Sequence, residues 1–300
     1  MLPRQMYAYW HQGADQVPDL VAMNLERWRT LNPGWQLTLL DESDARRVLA
    51  DSPMDLGSVP ITTVADLLRA HLLRDHGGVW LDTTLYPVIP LDQWLPQVTE
   101  PAGFFTFDGP QPDRPIVNWF LAAHADSSVM RRLCEEFERY WTRPHHVVKR
   151  VGLWPGDSIA AVSPGTEADP APYFWFHFLF GRLIEVDADF AASWERMPKF
   201  SAGPCFKVWR TLRTEGTVGP QRLQRLAGRA PVQKLTLTQV EYPVEALRDL
   251  VFTEAPLVPS ERGWTPAMAH AVVALQETGT SRPGGRWGAL AQRLRGGRTK

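Results

Sequence analysis

The sequence predicts an α/β fold with a mixed, mainly parallel central sheet flanked by helices. Three observations predict it. A strand–helix–strand pattern fills residues 6–40, and such a unit argues for strands paired through a helical crossover. A second helix, ending at Gly77-Gly78, leads into the short apolar strand Val79-Trp80-Leu81. Polar residues stand at the C-terminal ends of all three strands, which is where open α/β sheets bind their ligands.

The elements follow in order. Met6–Trp10 is aromatic-rich and reads as a strand, broken by His11-Gln12-Gly13. Pro18 suits a first helical turn, and Val21, Leu25, Trp28 and Leu31 follow at helical spacing. Asn32-Pro33-Gly34 ends that helix, and Gln36–Leu40 is the second strand, with Asp41 at its end. Thr63 and Asp66 have the spacing of a capping pair, which predicts the start of a helix whose apolar face is Val64, Leu67, Leu68 and Leu72. Gly77-Gly78 stops it, because glycine is favoured just beyond a helix end.

Phe104–Phe107 is a further strand, and Ser127 or Ser128 caps a helix running to Trp141. Residues 142–171 are rich in Pro, Gly and His and read as loop. Tyr173–Ile184 is a buried helix, Asp189–Glu195 a short one, and Leu235–Val240 alternates like a strand. One domain is expected over residues 1–255, with a C-terminal extension over 256–300.

Composition excludes several classes. Lys+Arg 32 against Asp+Glu 33, a net charge of -1, is no footprint for nucleic acid. A hydrophobic share of 44% in 300 residues is enough for a substantial core. Two cysteines, Cys134 and Cys205, make no disulfide framework and suit a reducing compartment. The N-terminus lacks the apolar region of a signal peptide, and the apolar run Tyr173–Phe180 is too short to span a bilayer. The expectation is a cytoplasmic protein. The last twenty residues carry Arg282, Arg286, Arg293, Arg295, Arg298 and Lys300 with no acid, and Trp287, Leu290 and Leu294 fit one helix face. That segment is either a solvated tail or a peripheral dock on the anionic inner face of a membrane.

The strand ends supply the candidate chemistry: His11-Gln12, Asp41 and Asp82. Asp66 and Arg69 lie three residues apart and share a helix face. A strand-end Asp also commonly caps the next turn, and an Asp–Arg pair also commonly decorates a surface. A nucleotide-sugar site needs an aromatic wall for the base, carboxylates for hydroxyls, and positive charge or a metal for the diphosphate.

The residues that fit this need carry a resemblance. Tyr9-Trp10-His11-Gln12-Gly13, Ala65-Asp66-Leu67-Leu68-Arg69 and His76-Gly77-Gly78-Val79-Trp80-Leu81-Asp82-Thr83-Thr84 resemble the capsular polysaccharide synthesis family. Further matches are Asn32-Pro33, Leu40-Asp41, Tyr173–Phe180, Trp194, Pro198–Ala202 and Val232–Thr236. The resemblance implies a GT-A-like, nucleotide-sugar-binding glycosyltransferase, a hexosyltransferase more often retaining than inverting, in capsule or cell-surface polysaccharide synthesis. Its donor would be a UDP- or GDP-sugar and its acceptor a saccharide or lipid-linked glycan.

By the same resemblance, Asp66 and Arg69 hold the donor sugar and ribose, and Asp82 is the first carboxylate of an Asp-x-Asp-like element. Tyr9, Trp10, His11 and Gln12 line the base pocket with Asp41 nearby, and Gly77 and Gly78 complete the donor site. Thr84 replaces the second Asp of that element. Threonine is a poor ligand for Mg²⁺ or Mn²⁺, so a divalent cation is either held by Asp82 with help, His177 among the candidates, or replaced by Lys234 and Arg69. His177 is otherwise a core histidine or a proton shuttle, and Asp157 is a candidate for the acceptor side. The rival expectation is a glycan- or nucleotide-sugar-binding protein on the same fold without turnover. A nucleotidyl- or phosphotransferase would call for a phosphate-binding Gly-rich loop, which is not found.

Overall fold

The computed structural model describes residues 1–52, 54–57, 59–111, 114–142 and 174–260. Asp157 and the basic C-terminal segment lie outside them. In chain order the elements are β1 (Gln5–Tyr9), α1 (Asp19–Leu31), β2 (Gln36–Leu40), α2 (Glu42–Val48), α3 (Ile61–Asp75), β3 (Gly78–Leu81), β4 (Leu85–Pro87), α4 (Leu95–Thr99), β5 (Phe104–Gln111) and β6 (Arg114–Ala123). They continue with α5 (Ser128–Thr142), α6 (Trp175–Val186), α7 (Ala188–Arg196), α8 (Lys207–Glu215), α9 (Pro220–Ala227), β7 (Val232–Lys234) and α10 (Val244–Arg248). The chain divides into two compact units whose segments alternate along the sequence.

The first unit comprises residues 1–17, 37–82 and 102–195. It is built on a five-stranded sheet of order β2-β1-β3-β6-β5. The sheet is mixed: β1 and β3 run parallel, while β6 is antiparallel to both β3 and β5. Helices α3, α5 and α6 pack in layers around it. Phe104, Phe180, Phe190 and Trp194 form one aromatic cluster, and Phe137, Tyr140, Trp175 and Phe176 form another. Most of the tryptophans thus serve the core: Trp28, Trp35, Trp80, Trp94, Trp119, Trp175 and Trp194 are all buried.

Helix α3 differs from an ordinary amphipathic surface helix. Every residue from Thr63 to Leu73 except Ala65 is buried, Asp66, Arg69 and His71 included. The expected Thr63/Asp66 capping pair is not formed. The helix begins one turn earlier, after Pro60, whose carbonyl accepts from Thr63 N at 2.9 Å. Asp66 is therefore inside the helix and inside the protein. Gly77 and Gly78 end the helix as expected, with φ of 65° and 98°. A Cβ on Gly77 would lie 2.5 Å from the Ala125 nitrogen, and one on Gly78 2.6 Å from the Gln5 carbonyl oxygen. The pair lets the chain turn sharply from α3 into β3, and so sets where β3 ends.

The second unit comprises residues 18–36, 83–101 and 196–300. Its β4 and β7 form a two-stranded antiparallel ribbon. Helix α1 is tied to the chain around it by side-chain donors: Asn24 Nδ2 to Thr83 O at 3.0 Å, Trp28 Nε1 to Leu85 O at 2.9 Å and Arg27 Nε to Pro87 O at 2.8 Å. The fully buried Gln233 accepts from Val208 N and donates to Pro204 O and Ala227 O. The expected strand over Leu235–Val240 is not there. The strand is Val232–Lys234, and the chain then turns, with Thr236 N donating to the Tyr242 hydroxyl and Gln239 at φ 73°. Among the described residues, no helix is long and apolar enough to cross a membrane.

Gly78→Ala combines a left-handed φ with a clash against backbone, so it is expected to cost about 2 kcal/mol or more of stability. Thermal or urea denaturation checks this, with Gly216→Ala as the comparison, since Gly216 has φ 76° but nothing within 4 Å of an added Cβ.

Candidate active site

The site forms at the C-terminal ends of β1 and β3 in the first unit. The strands pair Tyr7 with Trp80, so continuing the register brings Tyr9 level with Asp82. Asp82 N donates to Trp119 O at 2.9 Å, which fixes the strand end against β6.

At its centre is Arg69, buried with its side chain 5% exposed. One terminal nitrogen, Nη1, donates to Asp66 Oδ1, and the other, Nη2, donates to Asp82 Oδ1 at 3.3 Å. Each of those oxygens has a second donor. Asn118 Nδ2 on β6 reaches Asp66 Oδ1 at 2.9 Å, and Trp80 Nε1 reaches Asp82 Oδ1 at 3.2 Å. The guanidinium also lies 5.0 Å from the centre of the Trp80 ring and 5.8 Å from that of Phe176. A planar fork suits this geometry, because it holds two acceptors at a fixed angle while its faces stack on aromatic rings. Asp66 is nearly inaccessible, whereas the Asp82 side chain is 27% exposed.

Burial pushes the Asp66 carboxyl up to about 6, against the opposing pull of Arg69 and Asn118 and with a smaller push from Asp82. A carboxyl whose folded value exceeds its unfolded one favours folding fully below the unfolded value, and that contribution is lost as pH rises through the folded one.

His177 opens α6 beside this cluster. Burial, then Arg69, then Arg114 hold its imidazole down to about 3, and only the Phe174 carbonyl favours the charged form. Arg114 lies over the Phe174 ring at 4.2 Å. His177 is therefore neutral at physiological pH.

The remaining residues of the expected site form a second group. Tyr9 OH and His11 Nδ1 are 2.8 Å apart, and His11 Nε2 lies 3.5 Å from Glu42 Oε2. Burial pushes the Tyr9 hydroxyl up to about 12, with help from Glu42 and Asp41. Trp10 is half-buried, its Nε1 donating to Gln16 O at 3.1 Å, and Gln12 is exposed. Asp41 Oδ1 accepts from Asp44 N at 3.0 Å and from Ser43 Oγ at 2.8 Å, while Asp44 Oδ2 accepts from Asp41 N. This is a capping box at the start of α2. The structure thus gives Asp41 a capping role. In the second unit, Lys234 Nζ donates to Thr84 Oγ1 at 2.7 Å. Among the described residues no three His, Cys, Asp or Glu side chains converge as a metal site.

Sequence reasoning missed Asn118, Trp80 as a hydrogen-bond donor, and Arg114. The available signal for Asn118 was a single amide inside the apolar run Ile116–Ala123.

Residues 2–150 match the family described as capsular polysaccharide synthesis protein. That segment contains β1, α3, β3 and β6, so the similarity to that family covers the elements that carry the candidate site. Among curated proteins, the O-glycosyltransferase braB of Annulohypoxylon truncatum is 27% identical over 160 residues, 46% of this chain and 38% of the relative. The O-glycosyltransferase PaGT of Phomopsis amygdali is 27% identical over 157 residues, 46% of this chain and 39% of the relative. The matches thus span about two-fifths of each relative's length. Among solved structures, the PaToxG glycosyltransferase superposes with a TM-score of 0.37 at 10% identity, covering 84% of this chain and 87% of that one. The UDP-bound glycosyltransferase domain of the YGT toxin gives 0.33 at 10% identity, covering 47% and 62%. A structural likeness this loose carries no argument by itself.

The Asp66 carboxyl yields a direct expectation. The stability of wild type minus that of Asp66→Asn should fall as pH rises from about 4 to about 6, by on the order of 2 kcal/mol, and level off above. Urea unfolding at a series of pH values measures it.

Proposed function

We propose that the protein is a glycosyltransferase that moves a sugar from a nucleoside-diphosphate donor to a hydroxyl of a saccharide or glycolipid. The observation that carries this reading is the buried Arg69 fork joining Asp66 on α3 to Asp82 at the end of β3. It lies in the segment that matches the family and at the strand ends where α/β sheets bind ligands.

The chemistry follows from the residue types. Glycosyl transfer needs the sugar held by its hydroxyls while negative charge grows on the departing diphosphate oxygen. Asp66 supplies a carboxylate acceptor for a hydroxyl, in a setting too dry for water to compete. Arg69 supplies fixed positive charge, and its two partners keep it oriented without any rearrangement during the reaction. Asp82, partly exposed at the strand end, faces the solvent side. Tyr9, Trp10 and His11 at the end of β1 offer aromatic surface for a base. Asp66 and Asp82 are both engaged by Arg69, and a front-face retaining course would need no carboxylate nucleophile.

The residues also limit how a divalent cation would bind. The Asp66 side chain is buried, with its Oδ1 taken by Arg69 and Asn118, and Thr84 brings no carboxylate. Among the described residues of the cluster, the partly exposed Asp82 is then the carboxylate open to an ion arriving from solvent. That fits a Mg²⁺ or Mn²⁺ completed by substrate phosphates and water, and does not fit one caged by protein alone. Such an ion would neutralise charge on the leaving diphosphate.

The rival reading, binding without turnover, is favoured by one observation: Thr84 holds the sequence position of the second carboxylate of an Asp-x-Asp element, and its hydroxyl is tied to Lys234. A nucleotide-sugar panel on wild type and Asp82→Ala, with Mn²⁺, Mg²⁺ or EDTA, separates the two. Calorimetry reads binding, and release of nucleoside diphosphate reads turnover. The expected result is selective binding of one nucleotide sugar, with slow release reduced at least about 100-fold in the variant. Binding without release under every metal condition supports the rival, and a folded wild type that binds no donor overturns both.

A further inference from the structure

The polar contacts of Asp66 have an asymmetry that neither helix geometry nor ion pairing requires. Both described hydrogen bonds to this carboxylate arrive at the same oxygen, Oδ1: one from Arg69 on its own helix, the other from Asn118 on β6 at 2.9 Å. Asp66 Oδ2 receives none from the described residues. A carboxylate held at one oxygen from two directions has a fixed rotamer, and its second oxygen is aimed rather than free to swing.

Asn118 is also out of place in its strand. It is the half-buried amide of Ile116-Val117-Asn118-Trp119-Phe120-Leu121, whose other members are all buried and apolar. Strand β6 pairs with β3 through Leu81↔Phe120, so Asn118 sits just past the paired stretch, level with the polar strand end. An amide there does nothing for packing that a Val or Thr would not do better.

We propose that Asn118 is a positioning residue: its amide locks the Asp66 carboxylate through Oδ1 so that Oδ2 is presented as the acceptor for a donor-sugar hydroxyl. The donor part of this rests on the glycosyltransferase reading, and the carboxylate part does not. Asn118 acts through Asp66 and touches no reacting atom. The groups facing Asp66 are Arg69 from α3, Asp82 from the end of β3 and Asn118 from β6.

Two measurements test it on Asn118→Ala, Asn118→Asp and Asn118→His, each shown by thermal unfolding to be folded. The histidine variant places an N–H near the position of the amide and serves as the conservative rescue. The first measurement needs no donor. In protein carrying ¹³C-carboxyl aspartate, the Asp66 resonance is identified by its loss in Asp66→Asn and titrated. Losing the amide should move its midpoint upward in the alanine variant and further upward in the aspartate variant, with the histidine variant returning towards wild type.

The second measurement compares the nucleotide sugar found in the panel with the corresponding free nucleoside diphosphate. Alanine should weaken sugar-nucleotide binding about tenfold, aspartate more, and neither should change affinity for the free diphosphate. An unchanged Asp66 titration in Asn118→Ala overturns the proposal, whether or not a donor is found. Equal weakening for sugar nucleotide and free diphosphate also overturns it, since that pattern marks a general loss of structure. Failure of the wild type to bind any nucleotide sugar would instead fall on the glycosyltransferase reading, and the titration would still decide the carboxylate lock.

Discussion

The constraint on which the first unit depends is the charge buried in α3. A guanidinium that is 5% exposed cannot stay there alone, and a fully buried carboxylate cannot either. The sequence resolves this by placing Asp66 and Arg69 one helical turn apart and bringing Asp82 to the end of the adjacent strand. The Gly77-Gly78 turn is what makes the second contact possible, because it sends the chain from α3 straight back into β3 with no intervening loop. The aromatic faces of Trp80 and Phe176 then close over the guanidinium. Removing one member of such a group leaves another as an uncompensated buried charge, which is more costly than the whole group is worth.

That arithmetic bears on function. A buried ion pair is weak evidence for stability, since apolar residues of similar volume usually serve as well. Here burial still raises Asp66 to about 6 despite a cationic partner, so its charge is held against the pull of its surroundings. Groups held in that condition at a sheet's C-terminal edge are where binding and catalysis concentrate. The neutral His177 fits the same field, since burial and two guanidinium groups disfavour its charged form.

The strands and helices nearest the site were legible because their signals are local. β1, α1, β2 and α6 follow from periodicity and turn chemistry, and the turn into β3 from its two glycines. β6 was missed because it pairs with both neighbours and reads as one apolar run, Ile116–Ala123, without the alternation that marks a half-exposed strand. Helices α8 and α9 were missed because they are short and largely charged, so only Val208, Leu212, Leu223 and Ala227 turn inward. In the site, Asp66, Arg69 and Asp82 were named from spacing and family pattern together. Their mutual contact was not readable, since it depends on α3 being buried all round, whereas the same i,i+3 spacing on a surface would mean little. Asp41 closes a capping box at the start of α2, the other use that a strand-end acid commonly has.

The symmetry of the cluster gives it one further property. Each Oδ1 has two donors and shares Arg69, so the carboxylates are coupled through a single cation. A ligand that engages one carboxylate changes the charge that Arg69 offers the other. An incoming sugar hydroxyl at Asp66 withdraws electron density from it and leaves the guanidinium more strongly directed to Asp82. An anion near Arg69 competes with both. The two carboxylates and the guanidinium thus form one coupled group, and whatever meets one of them perturbs the other two. The two left-handed glycines of the α3–β3 turn fix where these coupled groups stand, so the spacing between them is set by the backbone.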